Sequence, residues 1–274
     1  MLLLITFLLT VALSALYVIF GNVPAQFWGV LATFGVAVGI FLALTVLELA
    51  FFLVVNVVFE KSNPKSMFKH RVLDVFTHWY YNGILRVRVI VTGKENLPTN
   101  NRFVVFCNHI EASDPMYMKQ VYKDFPVAFV SKVALFKSFP VKNILSSVGC
   151  IPISAKADNS ALNSIKESIE RVENGQPMGI FPEGKRTYGN TPISFRPGAF
   201  KVPLKAQADI SPVALYDMHE IYRKGRILPV KVYLHVLPLI KYEDYKDMDT
   251  IQIADMVQTM VVAQIDKFAA TIKK

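Results

Sequence analysis

The sequence predicts an α/β domain with a largely parallel sheet flanked by helices, preceded by an N-terminal hydrophobic two-helix membrane hairpin. Three observations carry this. From residue 87 onward, short runs rich in β-formers alternate with stretches of helical period. Ahead of Lys61 there is no Lys, Arg, Asp or His, and Glu48 is the one acid before Glu60. At that boundary the charge pattern changes abruptly and a basic cluster begins.

Residues 1–20 are apolar apart from Thr6, Thr10 and Ser14. As a helix rising ~1.5 Å per residue they reach about 30 Å, the thickness of the hydrocarbon layer. Gly21-Asn22-Val23-Pro24 supplies a turn. A second apolar run, 27–59, would extend roughly 50 Å as one helix, more than an upright span needs. Glu48 and Asn56 suggest that it leaves the bilayer centre before its end. A signal peptide is disfavoured, because the first run lacks a basic n-region and a small-x-small site and a second apolar run follows. The expected division is therefore a membrane-anchoring hairpin at 1–60 and one domain at 61–274. The connecting turn carries no charge to say whether the hairpin crosses the bilayer or re-enters one leaflet.

Lys61, Lys65, Lys69, Arg71, Arg86 and Arg88 then arrive with few acids nearby. The positive-inside rule puts this side, and the domain after it, at the cytoplasmic face of the membrane. Such a cluster also attracts an anionic membrane surface. The net charge of +9 could suggest nucleic acid, but there is no RNP-like sequence, zinc-finger spacing or basic helix to read it. Hydrophobic content of 53% and a mean hydropathy of +0.35 are high for a water-soluble chain. Cys107 and Cys150 are isolated in apolar runs, as buried reduced thiols would be, and five scattered His residues form no H-E-x-x-H. No metal site is expected.

Strands are expected at 87–91, 102–107, 127–130, 150–154, 178–181, 210–215 and 227–237. Helices are expected at 135–148, at 159–174 with Asp158 or Asn159 as cap and Gly175 as stop, and at 251–272. In the last, Ala254, Val257, Val261, Ile265, Phe268 and Ile272 recur at intervals of three and four, one face to pack on the sheet.

Two blocks carry chemistry. Asn108-His109 follows the 102–107 strand, and Asp114-Pro115 stands five residues beyond the His. Pro favours the first helical position, so Asp114 is expected to open a helix as its N-cap. From there its carboxylate can turn back, accept the Nδ1–H of His109 and leave Nε2 free as a base. An alcohol is a poor nucleophile, and an imidazole is suited to take its proton at neutral pH. No G-x-S-x-G elbow is present, as expected where the substrate hydroxyl itself attacks. The second block is Phe181-Pro182-Glu183-Gly184-Lys185-Arg186-Thr187. Gly184 lets backbone approach a ligand, Arg186 offers a planar fork for phosphate, Lys185 a point charge and Thr187 a hydroxyl.

Together, N-H-x4-D at 108–114 and F-P-E-G-K-R-T at 181–187 resemble the 1-acylglycerol-3-phosphate acyltransferase family (lysophosphatidic acid acyltransferases, PlsC type). The family's second block reads F-P-E-G-T-R-S, so Lys185 and Thr187 are departures. Ser131-Lys132-Val133-Ala134-Leu135-Phe136 resembles its S-K-x-E-L-F element with Ala134 for Glu. The 149–154 segment resembles its G-x-I-x-I-D-R block, with Ser154-Ala155 in place of Asp-Arg, and 210–213 its last apolar block. The resemblance spans roughly 85–235. It implies that His109 is the base and Asp114 its partner. It also implies that Glu183, Gly184 and Arg186 belong to the acceptor phosphate site, with Lys132 helping. Asn108, Lys185 and Thr187 complete the expected substrate-binding set, and Lys156 is a candidate replacement for the missing Arg.

The implied reaction moves a fatty acyl group from acyl-CoA or acyl-carrier protein, a substrate and not a cofactor, to the sn-2 hydroxyl of lysophosphatidic acid. Backbone N–H groups near the Asp114-Pro115 helix mouth or the Gly184 turn are expected to hold the oxyanion. The hairpin is expected to set the acyl chain's route beside the catalytic face. Competing expectations are an acyltransferase for another lysolipid or glycerol 3-phosphate, a thioesterase, and a non-catalytic protein that binds anionic lipid.

Overall fold

The computed structural model describes residues 2–21, 23, 27–154 and 159–272. The expectations placed on Asn22, Pro24, Ala155, Lys156 and Asp158 fall outside them. The strands are β1 Val87–Thr92, β2 Phe103–Cys107, β3 Ala128–Lys132, β4 Ile151–Ile153, β5 Met178–Ile180, β6 Asp209–Tyr216 and β7 Val230–Val236. They form one sheet in the order β1-β7-β6-β2-β5-β3-β4. Every pairing is parallel except β6 with β7.

Why this sheet forms is plain in β2. All five of its residues are buried, as an interior parallel strand covered on both faces requires. Val104 and Phe106 enter one core cluster, Phe103, Val105 and Cys107 the other. The first face is covered by α6 Asn159–Glu173, α7 Lys201–Ala206 and α9 Thr250–Thr271. On α9 the expected stripe is found: Ala254, Val257, Val261 and Ile265 are buried, with Phe268 and Ile272 packed beside them. The second face is covered by α3 Met67–His78, α4 Asp114–Val121 and α5 Val141–Ser147. The expected helix 135–148 is broken into a 3-10 turn, Val133–Lys137, and α5. Pro140 stands between them; it has no N–H for a helical bond and disfavours helix in the residue before it. Helices α3, α7 and α8 Tyr242–Tyr245 were not anticipated.

At the N-terminus, α1 Leu2–Phe20 lies along α2 Phe27–Val58. Thr6, Thr10 and Ser14 are the buried stripe of α1, and Thr6 Oγ1 donates to Glu48 Oε1 at 2.5 Å. Small hydroxyl residues let helices pack closely where apolar solvent offers no hydrophobic drive. Among the described residues α2 is long and apolar enough to cross a membrane. Only its C-terminal end is embedded in the protein. Phe52 stacks on Phe76 of α3 with ring centroids 4.0 Å apart, and Ser147 of α5 donates to Asn56 Oδ1 at 2.7 Å.

The basic collar after α2 is partly consumed by this joint. Lys69 is buried and its ammonium donates to the carbonyls of Phe59 and Ser62, capping the end of α2. Arg71 pairs with Asp124 at 2.7 Å, and Lys65 donates to Asn174 O. Lys119 of α4 is also buried, donating to His70 Nδ1 at 2.7 Å with Asp74 at 3.5 Å. Burial lowers His70 to about 3, so the ring stays neutral and can accept from the ammonium. That buried contact ties α4 to α3.

Gly179 in β5 lies where the sheet admits no side chain: a Cβ there would fall inside the ring of Phe129. Gly179→Ala should therefore cost about 1–3 kcal/mol of stability by overpacking. Denaturant unfolding in detergent, compared with wild type, measures it.

Candidate active site

His109 leaves the C-terminal end of β2, while the 181–187 loop leaves the end of neighbouring β5. The chain after β2 runs to α4 on one face of the sheet, and the chain after β5 runs to α7 on the other. Strand ends whose connections part in this way leave a crevice between them, the usual ligand position in open α/β sheets.

The His109 ring stacks on Phe181 with centroids 4.1 Å apart and an interplanar angle of 24°. Its Nδ1 is 2.9 Å from Asp114 Oδ2, and Nε2 has no partner among the described residues. The same Asp114 oxygen accepts the backbone N–H of Ile110 at 2.7 Å and of Glu111 at 2.8 Å. Asp114 thus opens α4 without capping it: the helix begins after Ser113, and the carboxylate is turned wholly back onto the His109 loop. Burial pushes Asp114 above the ordinary carboxylate range, while the His109 ring and the two amides pull it back. Three donors on one oxygen favour the ionised form, which in turn fixes the proton of His109 on Nδ1.

A cavity of about 740 Å³ opens in front of His109. Among its lining are the basic residues Lys132, Lys185, Arg186, Arg196 and Lys201 and the apolar Val130, Ile153, Ile165, Ile180 and Val202. The basic residues suit an anion and the apolar ones a hydrocarbon chain. Arg186 is 3.9 Å from Glu111 and 4.9 Å from the Tyr188 ring centroid. Lys132, Lys185 and Gly184 also line this space.

Three residues expected to bind substrate lie behind the cavity wall instead. Asn108 is 1% exposed; its amide donates to Leu215 O and accepts from Leu215 N, locking the end of β2 to β6. Glu183 is also 1% exposed, and its Oε1 accepts the His109 N–H at 3.0 Å. Thr187 donates its N–H to His109 O at 2.9 Å, and its hydroxyl lies within reach of both His109 O and Gly189 O. Each reaches backbone beside the base because a loop leaving a strand end carries unpaired polar groups that need partners. Of the amides expected to hold an oxyanion, several are engaged within the protein, while those of Lys185 and Arg186 at the Gly184 turn have no hydrogen-bond partner among the described residues. The N–H groups of Ile110 and Glu111 are taken by Asp114, that of Asp114 by Glu111 O and that of Gly184 by Phe181 O. Arg196 and Lys201 were missed, since a lone basic residue, in a loop or at a helix start, carries no spacing signal.

Cys107 and Cys150 are both buried and free. Burial pushes Cys107 well up and Cys150 to about 11, so neither is a ready thiolate nucleophile.

The base-and-cavity arrangement belongs to a known class. The family model described as Acyltransferase matches residues 88–216, from β1 to the end of β6, and this span is an acyltransferase domain. Relatives within that class share one printed activity. The 1-acyl-sn-glycerol-3-phosphate acyltransferase of Borreliella burgdorferi is 29% identical over 182 residues, covering 66% of this chain and 72% of the relative. The Bacillus subtilis protein of the same name is 28% identical over 146 residues, 52% of this chain and 71% of its own. The mouse alpha form is 26% identical over 200 residues, 72% of this chain and 68% of its own. The crystal structure of the 1-acyl-sn-glycerophosphate acyltransferase PlsC from Thermotoga maritima superposes with a TM-score of 0.64 at 22% identity. It covers 75% of this chain and 81% of that one, a likeness of fold. The resemblance drawn from the two motifs is thereby borne out.

Burial raises Glu183 to about 7, with the Asp114 charge a lesser cause, against the His109 N–H that pulls it down. A carboxyl held above its unfolded value stabilises the fold below about pH 4.5 and loses that contribution as pH rises through about 7. Glu183→Gln should flatten the pH dependence of the melting temperature across that window. An unchanged slope between pH 5 and 8 would separate Glu183 from it.

Proposed function

We propose that the chain transfers a fatty acyl group from an acyl thioester, acyl-CoA or acyl-carrier protein, to the sn-2 hydroxyl of 1-acyl-sn-glycerol 3-phosphate, giving phosphatidic acid. The observation that carries this reading is the unpartnered Nε2 of His109, its ring oriented by Asp114, at the polar mouth of a half-apolar cavity. The names of the relatives agree with it.

In the reaction, Nε2 takes the proton of the acceptor hydroxyl as that oxygen bonds to the thioester carbonyl carbon. Asp114 stabilises the imidazolium that forms. The C–S bond then breaks, and the imidazolium proton goes to the departing thiolate, which restores the base. Lys132, Lys185 and Arg186 face the acceptor phosphate; Arg186 gives the planar fork. The N–H groups of the turn after Gly184 meet the developing oxyanion. Glu183 and Thr187 serve by holding the His109 backbone, and Asn108 by locking the end of β2 to β6. The apolar walls under α6 and α7 receive an acyl chain. No metal enters this scheme.

Residues 1–60 act as the membrane anchor and 61–274 as the catalytic domain, set at the cytoplasmic face where the acceptor lipid lies. The long, largely exposed α2 and the basic residues that follow it support that arrangement.

His109→Ala should reduce turnover by about 10²–10⁴-fold, the usual contribution of a positioned base, and Asp114→Asn should fall with it. The assay offers purified protein a labelled acyl thioester with lysophosphatidic acid, other lysolipids, glycerol 3-phosphate or water alone. Wild-type turnover by His109→Ala would sink the mechanism, and preference for another acceptor would replace the substrate. Arg186→Ala should chiefly raise the KM for the acceptor, since phosphate is bound in ground and transition states alike.

A further inference from the structure

We infer that Arg196 is a further contact for the acceptor's phosphate, seated on the bare backbone of Gly184. The inference rests on the acceptor proposed above and adds a residue to its site.

Arg196 lies immediately before the 3-10 turn Pro197–Phe200. It is mounted at two points: its own N–H donates to Pro182 O at 2.9 Å, and the N–H of Phe195 donates to Gln258 Oε1 at 2.9 Å. That backbone bond lays residue 196 alongside the Pro182-Glu183-Gly184 turn. The side chain then covers Gly184. A Cβ built there would stand 2.9 Å from Cζ, 3.1 Å from Nε and 3.1 Å from Nη1 of Arg196. Near-equal distances to three atoms of the group mean that the guanidinium lies flat over the Gly184 Cα. Gly184 also has φ of +70°, which side-chain-bearing residues rarely adopt. The glycine is therefore needed twice, once for its turn and once as the shelf for Arg196.

The charge of Arg196 is left for a ligand. No carboxylate or hydrogen-bond acceptor pairs with its side chain among the described residues, whereas Arg186 has Glu111 at 3.9 Å. Arg196 lines the same cavity as His109, Lys185 and Arg186. Its shelf adjoins Glu183, which holds the N–H of His109 at 3.0 Å. In a 1-acylglycerol 3-phosphate the reacting hydroxyl and the phosphate-bearing oxygen sit on adjacent carbons. A phosphate whose neighbouring hydroxyl meets His109 must be held close beside that loop, where Arg196 lies. A guanidinium with its plane supported from below presents its N–H edge outward, suited to bidentate phosphate binding.

The test compares Arg196→Gln, Arg196→Lys and wild type. Arg196→Gln should raise the acceptor KM about tenfold or more, the usual worth of one charge-assisted contact. Its kcat should stay within about twofold and its donor KM should not move; uniform loss of binding has that signature. Arg196→Lys should recover part of the affinity. An unchanged acceptor KM in Arg196→Gln, or equal loss for donor and acceptor, would overturn the assignment. If wild type transfers to no lysolipid, the acceptor proposal fails on its own. Arg196 is then judged by calorimetric binding of glycerol 3-phosphate, which Arg196→Gln should weaken by a similar factor and which no change would overturn.

Discussion

The arrangement depends on one oxygen. Asp114 Oδ2 accepts from the His109 ring and from the N–H groups of Ile110 and Glu111, all within 2.9 Å. Five residues of loop are thereby wound around a single buried carboxylate. The imidazole cannot turn without losing a charge-assisted bond, and the carboxylate cannot leave without stranding two amides away from water. Because Asp114 sits at the start of α4, the whole helix backs this contact, and Lys119 anchors the helix to α3 one turn and a half further on. A buried charge is costly unless its neighbours satisfy it, so these contacts make the position of His109 a property of the fold.

From that oxygen the second motif becomes intelligible. Glu183 and Thr187 grip the N–H and the C=O of His109 from the neighbouring strand's loop. The F-P-E-G-K-R-T block is thus part brace and part ligand site, alternating along seven residues. Glu183 and Thr187 turn inward, while Gly184, Lys185 and Arg186 turn to the cavity. Phe181 supplies the floor under the imidazole and passes the packing on to Phe129, which in turn leaves no room at Gly179. Chemistry at the mouth and packing in the sheet are continuous through two aromatic rings.

Much of this is legible in the amino-acid sequence. Five consecutive β-formers at 103–107 read as an interior strand because an element covered on both faces needs no alternation. The stripe on α9 reads as a helix face because three- and four-residue spacing has no other regular meaning. His109 and Asp114 are found together because a short loop between strand and helix brings i and i+5 into reach. What is not legible has physical reasons too. Pro140 divides a helix whose apolar pattern runs straight through it. Asn108, Glu183 and Thr187 are polar residues in a chemical motif, and sequence cannot tell which side of a loop they face. Arg196 belongs to the site through the fold alone, brought to Gly184 by a bond between backbones fourteen positions apart in the chain.

The joint with the N-terminal helices bears on how substrates arrive. Helix α2 touches the protein on the α3–α5 face, while apolar residues that line the cavity, such as Ile180 and Val202, belong to the core under α6 and α7. Sheet thickness therefore separates the anchor's seat from the hydrocarbon pocket. The two meet only along the sheet edge where the strand ends expose His109. With the acceptor's own chain left in the bilayer beside α1 and α2, its headgroup would approach that mouth from the anchor side. The donor's chain would then enter the apolar walls from the other. On the proposed reaction, two chains on two faces with one imidazole between them would keep acceptor and donor from competing for the same apolar surface.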